Sequence, residues 1–519
     1  MISRRAILQG SSALGLASLL PGHPARAAAG PEGLIARARA LAEAPHAGTA
    51  PELPPPFDAL SYDSYRAIRP IPGRASKIDL GAGFSADLLP PGWLFPDPVT
   101  ISLPGRRDQI VFDPAEYEFD PRYFEDGAPE GPFPDLRHSG LRVRYPLNLP
   151  GRLDDLIVLQ GASYFRALAH QTAYGLSARA LALGTGGPAP EEFPVIHEIE
   201  VFGTSARRLE FGCLIDSPRA AAAFLVQLTP GLEDAPDTVM RCALHLFARE
   251  TLTDAGIAPL TSMFQHNDMG PARIDDFRPA VHDSDVLVID NGAGERLWRP
   301  LANPATLQMS AFGDDNPRRF GLLQKPDDFA SFRDAEGAYH RRPSGMVVPH
   351  GDWGKGAVML LEIPTEDEYA DNIVAFWRPA APLQPGQPHV FDYDLHWQQP
   401  GLDALPEPHP LLPVRSASGI EPVTRQGRLF VIDFAPSGDA PLPDPTTLEL
   451  VLNTPQGAAI TGETLYRVDA GSSFLRGSFV LEPEAGTDAC ELRMQVRGPE
   501  HDMAPVWLYR WTRSADGRP

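Results

Sequence analysis

The sequence predicts an all-β protein, with a large N-terminal β-sandwich followed by an immunoglobulin-like β-sandwich. Three observations predict it. The 57 prolines and 46 glycines supply many turns and argue against long helices. Short runs rich in Val, Ile, Leu and aromatics recur between those turns, as buried strands do. Six such runs crowd into about the last 100 residues, a spacing that suits an immunoglobulin-like sandwich.

Taken in order, the chain begins with Ser3-Arg4-Arg5-Ala6-Ile7-Leu8-Gln9, an apolar run Ser11–Leu20, and the small-x-small site Ala25-Arg26-Ala27. Residues 1–28 therefore read as a secretory signal peptide, and the paired arginines resemble a twin-arginine signal. The expected location is the periplasm. The apolar run is too short to span a membrane, and no other stretch is long enough.

Residues 29–50 form an N-terminal segment whose Pro31–Ala44 spaces Leu34, Ala38 and Leu41 as a helix does. Residues 51–399 form the large sandwich. Its expected strands include Val99–Leu103, Leu141–Tyr145, Ile196–Phe202, Leu209–Ile215, Ala223–Leu228, Val239–Phe247, Val286–Asp290 and Phe320–Gln324. No repeat of 20–50 residues is visible, which argues against a propeller. Residues 400–414, with five prolines, read as a linker or long loop. Residues 415–519 form the second sandwich, with strands expected near Gly427–Phe434, Thr447–Asn453, Thr464–Asp469, Ser472–Leu481, Ala489–Val496 and Ala504–Trp511.

Formal net charge is −22; with Arg4, Arg5 and Arg26 removed and no acid lost, it becomes −25. So acidic a surface repels nucleic acid and anionic lipid. The three cysteines show no metal-knuckle spacing. A Cys213–Cys242 bridge is open in principle, but buried free thiols fit their apolar surroundings better.

The most informative stretch is Trp353–Trp377. Two apolar runs, Ala357–Leu361 and Ile373–Trp377, flank Glu366-Asp367-Glu368-Tyr369-Ala370-Asp371. Carboxylates crowded at a strand junction raise at least one pKa, as a general acid requires. The plain alternative is a solvated acidic loop.

Several blocks together resemble one family, the periplasmic glucans biosynthesis proteins D and G. They include Tyr62-Asp63-Ser64-Tyr65-Arg66, Pro91-Gly92-Trp93-Leu94-Phe95, Gly161-Ala162-Ser163-Tyr164-Phe165-Arg166 and Tyr174-Gly175-Leu176-Ser177-Ala178-Arg179. Further on come Arg278-Pro279-Ala280-Val281-His282-Asp283, Trp298-Arg299-Pro300-Leu301, Trp353-Gly354-Lys355-Gly356 and Asp371-Asn372-Ile373-Val374. The paired N-terminal arginines look more like the D branch. The resemblance implies a large galactose-mutarotase- or glycoside-hydrolase-like sandwich, a part in osmoregulated periplasmic glucan biosynthesis, a β-1,2-glucan partner, and no metal or organic cofactor.

Some members of that family are inverting glycoside hydrolases, and related members transfer glucan to make cyclic products. Inversion needs an acid and a base on opposite faces of the sugar, usually about 6.5–9.5 Å apart. The resemblance points to Asp371 as acid and Asp283 as base, with Tyr339 relaying a proton between water and Asp283. Glu368 could share the Asp371 proton or orient substrate. Tyr65, Trp93, Tyr164, Trp353 and Trp377 could present rings to sugar faces, and Arg166, Arg179 and Arg299 could donate to sugar hydroxyls. For each ring, core packing competes; for each arginine, a structural ion pair does. Lys355 lacks the rest of a phosphate loop.

Three functions stay open at this point: an inverting endo-hydrolase, a transglycosylase that cyclises the glucan, and a non-catalytic scaffold for a membrane glucosyltransferase. Family members can dimerise, so a homodimer is a further expectation.

Overall fold

The computed structural model describes residues 29–48, 52–105, 110–131, 133–270, 275–402, 409–438, 440–469 and 471–516. The expected signal peptide lies outside them, as do residues 403–408 of the expected linker. No helix among the described residues is long and apolar enough to cross a membrane.

Two large sheets dominate. The first, of 11 strands, runs from Ile78–Gly81 through Phe84–Leu89, Gly140–Tyr145, Asp154–Gln160, Tyr164–Ala167 and Ser177–Arg179. It continues through Ala255–Ser262, Ile373–Pro379 and Lys355–Glu362 to the edge strand Gln308–Asp315. The second has 13 strands, with Arg208–Asp216, Ala220–Thr229, Thr238–Ala248 and Pro388–Gln398 at its heart. The sheets pack face to face, so alternate side chains of each strand fill one core. Phe165 of the first sheet stacks on Phe224 of the second with ring centroids 5.5 Å apart. The architecture is all-β, as the sequence predicts, and the expected strands recur with ends shifted by a few residues.

Among the described residues, the one long helix is Pro31–Glu43. It starts on a proline, whose missing N–H costs nothing in a first turn. Leu34 and Ala38 pack on Leu214, Ala223 and Phe247 of the second sheet's outer face. Arg249 donates to the carbonyls of Leu41 and Ala44 and so satisfies the helix end.

The C-terminal region is continuous with the larger sandwich. The strand Leu411–Ile420 begins inside the segment read as linker. It joins Arg428–Pro436, Leu475–Pro483 and Ala458–Arg467 in a four-stranded sheet. The other strands, Glu449–Leu452, Ala489–Arg497 and Val506–Thr512, extend the 13-stranded sheet itself. The junction is parallel, Leu297 opposite Val506 and Trp298 opposite Trp507. One apolar core, with Val288, Trp298, Phe430, Phe479 and Trp507, spans both sides of that junction. All three cysteines are free and buried.

Candidate active site

The site grows out of a register. Across the first sheet, Arg142 lies opposite Val158, and Val158 opposite Arg166. Further along, Ser177 lies opposite Thr261, and Thr261 opposite Val374. Directly opposed residues share a face. Their neighbours Phe165, Ala178, Leu260 and Ala375 belong to the core between the sheets. Arg166, Ser177 and Thr261 therefore face away from the core, on the sheet's outer side.

Asp371 ends the loop between Lys355–Glu362 and Ile373–Pro379, which pair as a hairpin. Its Oδ2 lies 3.4 Å from Arg166 Nη2 and 3.5 Å from Ser177 Oγ. Buried Asn372 fixes it in place. The Asn372 amide accepts from Phe264 N–H and donates to the carbonyls of Phe264 and Ile363. Burial raises the Asp371 pKa, and Arg166, Ser177 and Arg342 oppose the rise.

Asp283 follows the short strand Val281–His282, and its N–H donates to the Met263 carbonyl. Arg342 Nη1 donates to Asp283 Oδ1. The Asp283 pKa is pushed up to about 6 by burial, with the Asp371 charge adding and Arg342 and Arg166 opposing. The two carboxyls thus share one electrostatic site with two arginines. Their exposure differs: the Asp371 side chain is 28% exposed and that of Asp283 6%.

Tyr339 opens the turn Tyr339–Arg341 and follows Ala338, which sits at φ 47°. A non-glycine residue there costs roughly 1–2 kcal/mol, strain of the kind that collects at functional sites. The Arg342 guanidinium lies 4.2 Å from the Tyr339 ring centroid. Burial pushes the Tyr339 hydroxyl pKa up, with Glu368 and Asp283 adding to it and Arg342 and Arg278 opposing. Gly175 makes room for this arrangement, since a Cβ there would come within 2.8 Å of Arg342 Cβ.

Several expectations need correction. Glu368 is drawn away from Asp371: its Oε2 accepts from Arg278 Nη2 at 2.5 Å, and Arg278 also binds Asp276 and Asp334. Glu366 and Asp367 are exposed. The acidic loop is therefore not crowded, and burial rather than neighbouring carboxylates raises Asp371. Trp353 and Trp377 are core residues, 5% and 0% exposed, packed together and, for Trp353, against Phe391 and Tyr393. Arg299 is buried in an ion pair with Glu362 and lies over the Tyr509 ring, at the sandwich junction. His282, considered beside Asp283, is locked by Gln324 and stacked on Phe264.

Other sequence candidates stand on the outer face or at its rim. Arg179 is sandwiched between the rings of Tyr164 and Phe193, each 5.0 Å away, and pairs with Glu191 at 2.5 Å. Its Nε and Nη2 have no hydrogen-bond partner among the described residues. Tyr65 donates to the Pro90 carbonyl, accepts from Gln160, and packs on Trp93, itself 36% exposed. Sequence reasoning missed Arg342, Ser177 and Arg278 as members of the site. Ser177 and Arg278 lie in the matched blocks, and Arg342 lies three positions past Tyr339. No cluster of His, Cys, Asp and Glu suited to a metal occurs among the described residues.

A β-sandwich with paired carboxyls and arginines on an outer sheet face defines the protein's class. The family described as periplasmic glucan biosynthesis protein, MdoG, matches residues 30–511, and the chain belongs to it. Glucans biosynthesis protein G of Vibrio cholerae is 41% identical over 488 residues, covering 92% of this chain and 86% of that one. Glucans biosynthesis protein G 1 of Shewanella oneidensis is 39% identical, covering 93% and 86%. These relatives carry the G name, so the expectation of the D branch drawn from the paired N-terminal arginines finds no support in them. A GH36 alpha-galactosidase structure from Geobacillus stearothermophilus overlaps 51% of this chain and 40% of its own at 10% identity, with a TM-score of 0.26, too slight to bear on the fold.

Proposed function

We propose that this protein acts on β-1,2-glucan in the periplasm, after twin-arginine export, as an inverting endo-type glycoside hydrolase. Membership of the periplasmic glucan biosynthesis family supports a part in making periplasmic glucan. One observation carries the catalytic reading: Asp371 opens on the sheet's outer face, Asp283 is buried behind Arg342, and both carboxyls are shifted upward.

The roles follow from access and charge. Asp371 can meet a glycosidic oxygen. A glucan chain lying over it removes water and drives its pKa further up, keeping the proton an acid must give. Asp371 passes that proton to the leaving oxygen as its bond to C1 breaks. A water attacks C1 from the opposite face, and its proton goes to Asp283. With a pKa of about 6, Asp283 is mostly ionised at neutral pH and can accept it. Because Asp283 is buried, the proton travels through an intervening hydroxyl, for which Tyr339 is the candidate. One water is consumed, and Asp371 ends ionised with Asp283 protonated. If a hydroxyl of the same chain replaces water, the product is a ring.

The test is incubation of the mature protein with linear β-1,2-glucan beside an Asp371→Asn variant, following reducing ends and product mass. New reducing ends, lost in the variant, support hydrolysis. Rings lighter by one water with an unchanged reducing-end count convert the reading to transglycosylation. Glucan binding with no turnover in either protein sinks the enzyme reading and leaves a binding role beside a membrane glucosyltransferase.

A further inference from the structure

A cavity of about 540 Å³ is lined by Pro364, Thr365 and Glu366 at the start of the acidic loop and by Tyr509 and Asp516 near the C-terminus. It is within the roughly 300–1,000 Å³ of small-molecule sites. None of Asp371, Asp283, Arg166 or Tyr339 lines it. We propose that it is a second saccharide site, taking a short β-1,2-linked gluco-oligosaccharide outside the catalytic cleft and steadying the loop that carries Asp371. This rests on the reading that the protein handles β-1,2-glucan.

The lining argues for a neutral, hydroxyl-rich ligand. Gln265 is only 6% exposed, yet its amide makes no hydrogen bond among the described residues. A ligand hydroxyl can bond that amide without displacing a protein partner. Next to it in the chain, His266 Nε2 donates to the Arg278 carbonyl at 3.1 Å. An amide that both donates and accepts matches sugar hydroxyls, which do the same. Phe264, Leu301 and Tyr509 back the cavity with packed apolar side chains. Among the described residues its lining holds Glu366 and Asp516 but no lysine or arginine, which disfavours an anion.

The cavity touches both anchors of the acidic loop. Thr365, in its wall, is tied to Asn303 by two hydrogen bonds of 2.7 and 3.0 Å. Phe264, also in its wall, is the residue that Asn372 grips next to Asp371. A ligand pressed between these anchors restrains the loop without reaching the carboxyls.

Hydrogen exchange of the mature protein with the disaccharide sophorose as probe tests this. Ala305→Trp, at an exposed position in the cavity wall, fills the mouth; Gln265→Leu removes the amide at similar volume. Arg166→Ala disables the cleft instead. The expected result is slowed exchange in 301–305, 509–516 and the acidic loop, in wild type and Arg166→Ala alike. Ala305→Trp abolishes that protection, and Gln265→Leu weakens sophorose binding about tenfold. Absence of protection in 301–305 and 509–516, or its survival in Ala305→Trp, overturns the proposal. Protection in a protein without glucan turnover overturns the enzyme reading alone; turnover without protection overturns only the second site.

Discussion

Arg166 Nη2 lies 3.4 Å from Asp371 Oδ2, although 205 positions separate them in the chain. That is near enough to favour the ionised carboxylate, but longer than a strong charge-assisted bond of about 2.7–2.9 Å. The pair leaves Asp371 with a raised pKa that Arg166 moderates. Replacing Arg166 with Met removes the opposing charge, so the Asp371 pKa rises further. With Asp371 as acid, the alkaline limb of the kcat/KM profile moves to higher pH. A downward move, or none, contradicts the assignment.

Asp371→Asn removes the proton donor while keeping the shape. Turnover of linear β-1,2-glucan is expected to fall by roughly 10²–10⁴, the usual contribution of general acid catalysis. The thermal midpoint should stay close to wild type, because buried Asn372 rather than Asp371 pins the loop. Comparing kcat with calorimetric glucan binding separates lost chemistry from lost affinity.

Asp283 gives a pH signature in stability. Its pKa is about 6 in the folded protein against 3.8 for a free aspartate, so between those values the folded state holds the extra proton. Stability therefore falls as pH rises from about 4 through about 6, by on the order of 3 kcal/mol. Urea unfolding across that window should show wild type losing stability relative to Asp283→Asn. Parallel curves contradict the shift.

Two tryptophans from the same aromatic pool should part company. Trp377→Ala empties a fully buried site and is expected to cost about 3–5 kcal/mol, read in the unfolding midpoint. Trp93→Ala, at a site 36% exposed, should leave the midpoint within a degree or two while weakening glucan binding several-fold.

Arg299 and Glu362 form a buried pair, 2.9 Å apart and 3% and 2% exposed at the side chain. Arg299→Met strands the Glu362 charge and should cost roughly 3–5 kcal/mol. Arg299→Met combined with Glu362→Leu should recover much of it, at the expense of the Glu362 bond to the Ala302 N–H. A double variant no more stable than the single one shows the pair to be more than a charge match.

Much of the fold was legible because burial leaves a local trace. The run Val286–Asp290 is a strand with those same ends, since four of its five residues are buried. The strand Leu411–Ile420 was hidden by proline density. Pro413 is accommodated where the register slips between Pro413 and Arg415, a bulge that a proline tolerates. Trp377 could have been placed in the core, since it alternates with Ile373 and Ala375, which are buried as well. Arg299 offered no such clue, because a buried and a ligand-facing arginine look alike until their carboxylates are located.

The sequence by itself determined the all-β class, the family, and Asp371 and Asp283 as carboxyls at strand ends, because apolar periodicity, turn residues and family blocks are local. Only the tertiary structure decided which charges meet. It placed Arg278 on Glu368, Arg342 on Asp283 and Arg166 on Asp371. It also replaced crowding by burial as the reason the Asp371 pKa is raised. The physical reason is that desolvation and Coulomb terms depend on distances across strands, and those are set only when the sheet forms.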